Sequence, residues 1–367
     1  MGTRRLVAGL ATVLLAVGAG ACGDDDNGGD AAQTPESDTA ELDGKIAVLL
    51  PDSKSSARWE TADRRFFEEA FKAAGLSSDD YLINNAEGDP AAQRSQAEQA
   101  VTQGAKVILL VNLDPGSGAA IIDSAKAQDV TMIDYDRLTV GGNADYYVSG
   151  DATEAGRLQA SGLIEDLKGK SNPSIAILDG APTDSFATDL KKGYMEVLES
   201  EGEDIEIAAH QAVPNWDSQK ALTIYEQMLQ AAKRPFDGTL AANDSIANAT
   251  ISARKARELE MIPTSGLDAT AEALQHILAG EQSFTVYFSI KDQATKAADL
   301  AVQIVRGEEP TGLTGEVDNG KGKVPTILLE PQTIRKDNIA DTVIADDFAS
   351  WDDVCVGDYE QYCPENR

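Results

Sequence analysis

Histidine and cysteine are nearly missing from this 367-residue chain, which holds two of one and three of the other, and aromatic residues make up only 5%. That leaves little from which to build a zinc site or a histidine-dependent catalytic triad. Positive charge is scarce as well: 31 Lys+Arg stand against 62 Asp+Glu, a formal charge of −31. Such a surface repels phosphate and has few cations with which to displace counterions. It excludes nucleic acid as a partner and disfavours anionic lipid headgroups. The acids are dispersed and no Asp-x-Asp-x-Asp-Gly loop of the EF-hand type occurs, so neither a metal nor a cofactor is expected. Long apolar runs are lacking too. The one exception, the fifteen residues 6–20, is too short to span a bilayer comfortably.

What is present is ordinary hydrophobic content, 42%, over a length that suggests two domains, each able to bury a core. Residues 1–21 read as an export signal: Arg4 and Arg5 precede the apolar run, which ends Ala19-Gly20-Ala21-Cys22. That ending resembles a bacterial lipobox, in which the cysteine becomes the lipidated first residue of the mature protein. An uncleaved anchor, or secretion with a free Cys22, are the alternatives. Residues 22–43 are polar and acidic with no apolar period, and read as a flexible tether. Cys355 and Cys363, eight positions apart, are expected to form a disulfide in an oxidising compartment and to pin a terminal turn.

From Lys45 onward, short β-branched runs alternate with helical segments. Strands are expected at 45–51, 81–85, 106–112 and 130–136, with helices at 57–75, 91–104 and 118–128. A second set follows: helices at 152–169, 185–200, 217–232, 245–259, 270–280 and 292–307, and strands at 174–180, 205–213, 238–243, 261–267, 284–289 and 325–331. The strands are almost continuously apolar, as in parallel sheets covered on both faces. The reading is α/β, two doubly wound, Rossmann-like lobes between which the chain crosses more than once.

In open α/β sheets, ligands sit beyond the carboxyl ends of the strands. Those ends carry Asp52-Ser53-Lys54 followed by Arg58-Trp59, then Asp134-Tyr135-Asp136-Arg137. In the second set they carry Asp179 through Asp184, Asn215-Trp216, Asn243-Asp244 and Gly266-Leu267-Asp268. Carboxylates and amides bond vicinal hydroxyls, Arg offers a planar fork of donors, and Trp stacks on apolar C–H faces. This is the chemistry a sugar requires. Each position also has a plainer use. An Asp or Asn there caps the next helix, Arg58 pairs with Glu60 or Asp63, the tryptophans fill the core, and Asp136-Arg137 forms a structural salt bridge.

Arg58-Trp59, Tyr135-Asp136-Arg137, Gly180 through Asp184, Trp216, Ala242-Asn243-Asp244, Gly266-Leu267-Asp268 and the segment 284–290 together resemble the sugar-binding lipoproteins of ABC importers, specifically their xylose-binding branch. Asn319-Gly320, 324–331 and 341–348 extend the resemblance to about residues 44–350. It implies the type I periplasmic binding protein fold: two lobes with parallel sheets joined by three crossing strands, a sugar in the cleft, and a monomer. On this plan the first lobe is 44–149 plus 290–323, the second is 150–289 plus 324–350, and 351–367 is a disulfide-bearing tail. Arg58, Asp136, Arg137, Asn243 and Asp268 would bond hydroxyls, with Asp184 and Phe186 beside them. Trp59 and Trp216 would sandwich the ring, and Asp244 would support Asn243.

The chain departs from the family pattern at three places. Ser185-Phe186 stand where the xylose binders carry Asn-Asn, Leu267 replaces a polar residue, and Tyr287-Phe288 replace Tyr-Lys. A xylose-like pentose leads, while a deoxy sugar, or a larger one with more apolar surface, suits Phe186 and Phe288 better. The implied role is a non-enzymatic lipoprotein outside the cytoplasm, anchored through Cys22, that hands a monosaccharide to a membrane permease by hinge closure. A sugar sensor signalling to a membrane receptor is the alternative. A glycoside hydrolase using a pair such as Asp136 and Asp268 is the other, although no distinct acid/base motif appears.

Overall fold

The computed structural model describes residues 42–202 and 204–365. The export segment, Cys22 and nearly all of the expected tether lie outside the described residues. In the first lobe, strands β1 (Lys45–Leu50), β2 (Tyr81–Asn85), β3 (Ala105–Leu110), β4 (Thr131–Tyr135) and β5 (Tyr146–Gly150) alternate with helices α1 (Arg64–Ala73), α2 (Pro90–Thr102) and α3 (Pro115–Lys126). The second lobe runs α4 (Ala152–Asp166), β6 (Ser174–Asp179), α5 (Ser185–Glu201), β7 (Glu206–Ala212), α6 (Ser218–Ala231), β8 (Gly238–Ala241), α7 (Asp244–Ala256), α8 (Ala271–Ala279) and β9 (Thr285–Tyr287). The chain then returns through α9 (Ile290–Val305), β10 (Gly315–Asp318) and β11 (Lys323–Leu329). It closes with β12 (Gln332–Ile334) and α10 (Trp351–Val354).

A seven-stranded sheet, ordered β10-β11-β5-β4-β3-β1-β2, forms the first lobe and is parallel except at β10. The second is built on the parallel trio β7-β6-β8, extended by two single bridges, Thr239 to Thr264 and Leu267 to Val286, toward the antiparallel pair β9-β12. β1 shows why burial selects this arrangement: all its residues but Lys45 are buried, as a strand covered on both faces demands. Helix α1 turns Phe66, Phe67, Ala70 and Phe71 into the same core, where Phe67 meets Tyr135 edge-on at 4.9 Å. The chain passes between lobes after β5, after β9 and after β11.

Several elements differ from the sequence expectation. β11 lies in the first sheet beside β5, so residues 324–329 belong with the first lobe and the last crossing follows Leu329. Its apolar run would fit either sheet, which is why periodicity alone misplaces it. The strand expected at 261–267 is reduced to two bridges, because Pro263 has no N–H for the ladder. β5, β10 and β12 are short strands that went unforeseen. The long helix expected at 57–75 is regular only from Arg64 and opens with a π turn at Trp59–Asp63.

Most strand-to-helix junctions share one device. Asp114, Asp151, Asp184, Asp217, Asn243 and Thr270 each accept a backbone N–H in the first turn of the following helix, satisfying donors the helix leaves open. At the far end Cys355 is disulfide-bonded to Cys363. The tail is also held by Gln275 Nε2 donating to the Val354 carbonyl at 3.0 Å and by Tyr359 Oη donating to Glu281 at 3.0 Å. Among the described residues, no helix is long and apolar enough to cross a membrane.

Candidate ligand-binding site

The carboxyl ends of both sheets face one cleft. There Ser55, Ser56, Arg58, Trp59, Asp136, Arg137, Asp184, Phe186, Trp216, Asn243, Leu267, Asp268 and Phe288 line a small cavity of about 30 Å³. Arg58 is the hub. Its Nη2 donates to Asp136 Oδ2 at 2.5 Å, its Nε faces Asp63 Oδ2 at 3.4 Å, and its Nη1 lies 4.0 Å from Asp268 Oδ1. The π turn makes this possible: an i→i+5 turn brings residues five apart onto one side, so Arg58 and Asp63 meet. The guanidinium also covers one face of the Trp59 ring at 4.2 Å.

Opposite charges meet across the cleft as well. Arg137, from the loop after β4, reaches Asp184 Oδ2 at 2.9 Å, and that oxygen also accepts the Trp216 indole N–H at 3.0 Å. Ser56 Oγ donates to Asp268 Oδ2 at 3.0 Å, Asn243 Nδ2 to the Ser55 carbonyl at 3.3 Å, and Ser185 Oγ to the Leu138 carbonyl at 2.8 Å. With Arg58 to Asp268, these contacts join the lobes directly. Trp216 packs closely against Gly180, where an added Cβ would fall 2.2 Å from the ring. Phe288 lies in the same way on Gly150, at 2.4 Å.

Three of the lining residues hold left-handed backbone: Asp136 at φ 65°, Trp216 at φ 55° and Asp268 at φ 100°. Non-glycine residues rarely adopt this, and it persists only where the surroundings over-determine it. For Asp136 they do. Its N–H donates to the Val148 carbonyl at 2.8 Å, and its own carbonyl accepts from Tyr147 Oη at 2.9 Å and Ser149 Oγ at 2.8 Å.

Residues 46–309 match the periplasmic binding protein domain. The chain belongs to this family. It is 33% identical over 310 residues to the D-xylose-binding periplasmic protein of Haemophilus influenzae, covering 83% of this chain and 90% of that one. The D-xylose-binding periplasmic protein of Escherichia coli is 32% identical over 307 residues, again covering 83% and 90%. Among solved structures, a carbohydrate transporter solute-binding protein from Chloroflexus aurantiacus in complex with D-glucose superposes with a TM-score of 0.77. It is 27% identical and covers 84% of this chain and 97% of that one. The resemblance read from the motifs is thereby borne out, and the fold is the type I periplasmic binding protein fold.

Within this periplasmic binding protein, every site residue expected from sequence except Asp244 lines the cavity. Asp244 is fully buried behind it. It accepts from the Thr270 N–H at 2.8 Å, Thr285 Oγ1 at 2.8 Å and Gln282 Nε2 at 3.3 Å. It therefore braces the loop before α8 against β9, while its neighbour Asn243 both caps α7 and lines the cavity. The plainer uses hold in part. Asp184 and Asn243 are caps as well as lining residues, and Arg58 pairs with Asp63 while Glu60 turns to Arg64 at 2.7 Å.

Leu267, noted from sequence only as a departure from the family pattern, lines the cavity, whereas Ser55, Ser56 and Gln293, whose Nε2 approaches Asp136 Oδ2 at 3.5 Å, are not foreseen. The signal for the serines lay in Asp52. Its Oδ1 accepts the N–H groups of Lys54 and Ser55 at 2.6 and 2.5 Å, folding the loop after β1 into an Asx turn that delivers both serines to the cleft.

Burial dominates the electrostatics. It pushes the Asp63 and Asp268 carboxyls up to about 6 each, with Arg58 pulling both the other way. Asp244 rises to about 7 through burial and then the charge of Asp268. For Arg58, burial opposes the charge, but Asp136, Asp63 and Asp268 outweigh it and hold the guanidinium firmly protonated.

Proposed function

We propose that this chain is the extracytoplasmic solute-binding protein of an ABC importer, which captures a neutral monosaccharide, xylose or a similar sugar, between its lobes and delivers it to a membrane permease. The observation that carries the reading is the pairing of charges in the cavity. Arg58 faces Asp136, Asp63 and Asp268, and Arg137 faces Asp184, so both guanidinium groups are already paired and an incoming anion would find no free positive charge. What such pairs still offer is spare lone pairs and N–H groups in a dry setting, which suits hydroxyls. The Trp216 and Trp59 rings at the same cavity suit the C–H faces of a pyranose. Kinship to D-xylose-binding proteins supports the pentose, and the sequence of residues 1–22 supports export and lipid anchoring at Cys22.

The test is a thermal-shift and calorimetric screen of the mature protein against pentoses, hexoses and their oligomers. A raised Tm with a monosaccharide is expected, since a ligand that binds only the folded state stabilises it by mass action. Absence of any shift across the panel would refute the sugar reading. Release of reducing ends from glycosides would replace binding with hydrolysis.

A further inference from the structure

The cavity is not polar all round. Phe186 at the start of α5 and Phe288 just after β9 both line it, with ring centroids 6.1 Å apart and planes at 48°. Neither ring has room to withdraw: Phe288 rests on the backbone of Gly150, and both side chains are buried, at 6% and 2% exposure. Phe186 is further fixed by its own N–H, which donates to Asp184 at 2.9 Å. The hydroxyl-bonding groups of the cavity, by contrast, are Arg58, Asp136, Arg137, Asp184, Asn243 and Asp268. A ligand hydroxyl turned toward the two phenylalanines would leave water and find no aromatic partner able to accept or donate a full hydrogen bond. A methyl group at the same place would gain apolar contact.

Resting on the sugar-binding reading, we propose that Phe186 and Phe288 form a specificity wall that selects a 6-deoxyhexose: a pyranose whose exocyclic carbon is a methyl group packed against the cavity side of these rings. The remaining hydroxyls face the Arg and Asp groups. D-Xylose lacks the exocyclic carbon altogether and leaves the wall partly unfilled, whereas a hexose with a 6-hydroxyl places a polar group against it.

The experiment is isothermal titration of the mature protein with matched pairs: 6-deoxy-D-glucose against D-glucose, L-fucose against L-galactose, and L-rhamnose against L-mannose, with D-xylose alongside. In the pair that binds best, the deoxy sugar is expected to bind about ten- to a hundredfold more tightly than its hydroxylated partner, and more tightly than xylose. That is the discrimination a methyl-sized group earns in an apolar pocket. The variant Phe288→Lys should shrink or invert the preference for the deoxy member. Equal binding within pairs, a preference for the hydroxylated member, or tightest binding of xylose would overturn the wall while leaving sugar binding intact. Failure of every sugar to bind would instead overturn the underlying reading. The comparison within wild-type protein stands even where the variant does not fold.

Discussion

Gly180 is the residue on which the aromatic floor of the cavity rests. The Trp216 ring sits where a side chain at 180 would begin, with an added Cβ 2.2 Å from its nearest atom, and its indole N–H is tied to Asp184. Gly180→Ala therefore has to lift the ring while leaving the remote core untouched. We expect this variant to be destabilised by about 1–3 kcal/mol through overpacking against the buried ring, and to lose sugar affinity by about tenfold, the worth of one aromatic contact of roughly 1.4 kcal/mol. Paired melting and titration measurements check it, and unchanged affinity would remove Trp216 from the ligand's surroundings. At this scale the sequence was a good guide wherever one residue has one task. Arg58, Trp216 and Asp268 each have a plainer use taken singly, and their joint placement beyond strand ends is what points to them. It served less well where a residue's neighbour takes the task. Asn243 and Asp244 are alike in type and adjacent, and only the direction of the chain entering α7 decides which faces the cleft.

Elements were legible where burial sets their period and obscure where a local irregularity sets their geometry. The parallel strands β1, β3, β4 and β6 are apolar on both faces and declare themselves. The π turn before α1 does not, because its residues fit a regular helix equally well by composition, yet it decides that Arg58 faces Asp63. Pro263 interrupts the ladder of an otherwise strand-like run, so 261–267 keeps only isolated bridges. Asp244 acts at this scale, binding three elements: α7, the loop that caps α8, and β9. Asp244→Ala would leave the Thr270 N–H and the Thr285 hydroxyl buried without acceptors. We expect a loss of about 2–4 kcal/mol in urea unfolding, since each abandoned buried donor costs roughly 1–3 kcal/mol. Sugar affinity of the folded fraction should change much less. An affinity loss without destabilisation would restore Asp244 to the ligand site.

For the whole molecule, buried carboxyls set the response to pH. Asp63 and Asp268 are pushed up to about 6, and Asp134 and Asp244 to about 7, burial being the first cause in all four. Unfolded, these groups titrate near 3.9. Between about pH 4 and pH 7 the folded chain therefore holds protons that the unfolded chain has released, and stability falls as pH rises through that window. We expect a higher Tm at pH 5 than at pH 8, with most of the difference surviving high salt. Salt screens the repulsion among surface acids but hardly reaches buried groups. A flat profile, or one that salt abolishes, would contradict it. Several protein-to-protein contacts already join the lobes, among them Arg137 to Asp184, Arg58 to Asp268, Ser56 to Asp268, Asn243 to the Ser55 carbonyl, and Ser185 to the Leu138 carbonyl. A captured molecule would leave only as such contacts part, so its dwell time is governed partly by bonds it does not make. Two sugars of equal affinity could then escape at nearly the same rate even where their own contacts differ, and a change at Ser185 would alter the clock without altering which sugar is chosen.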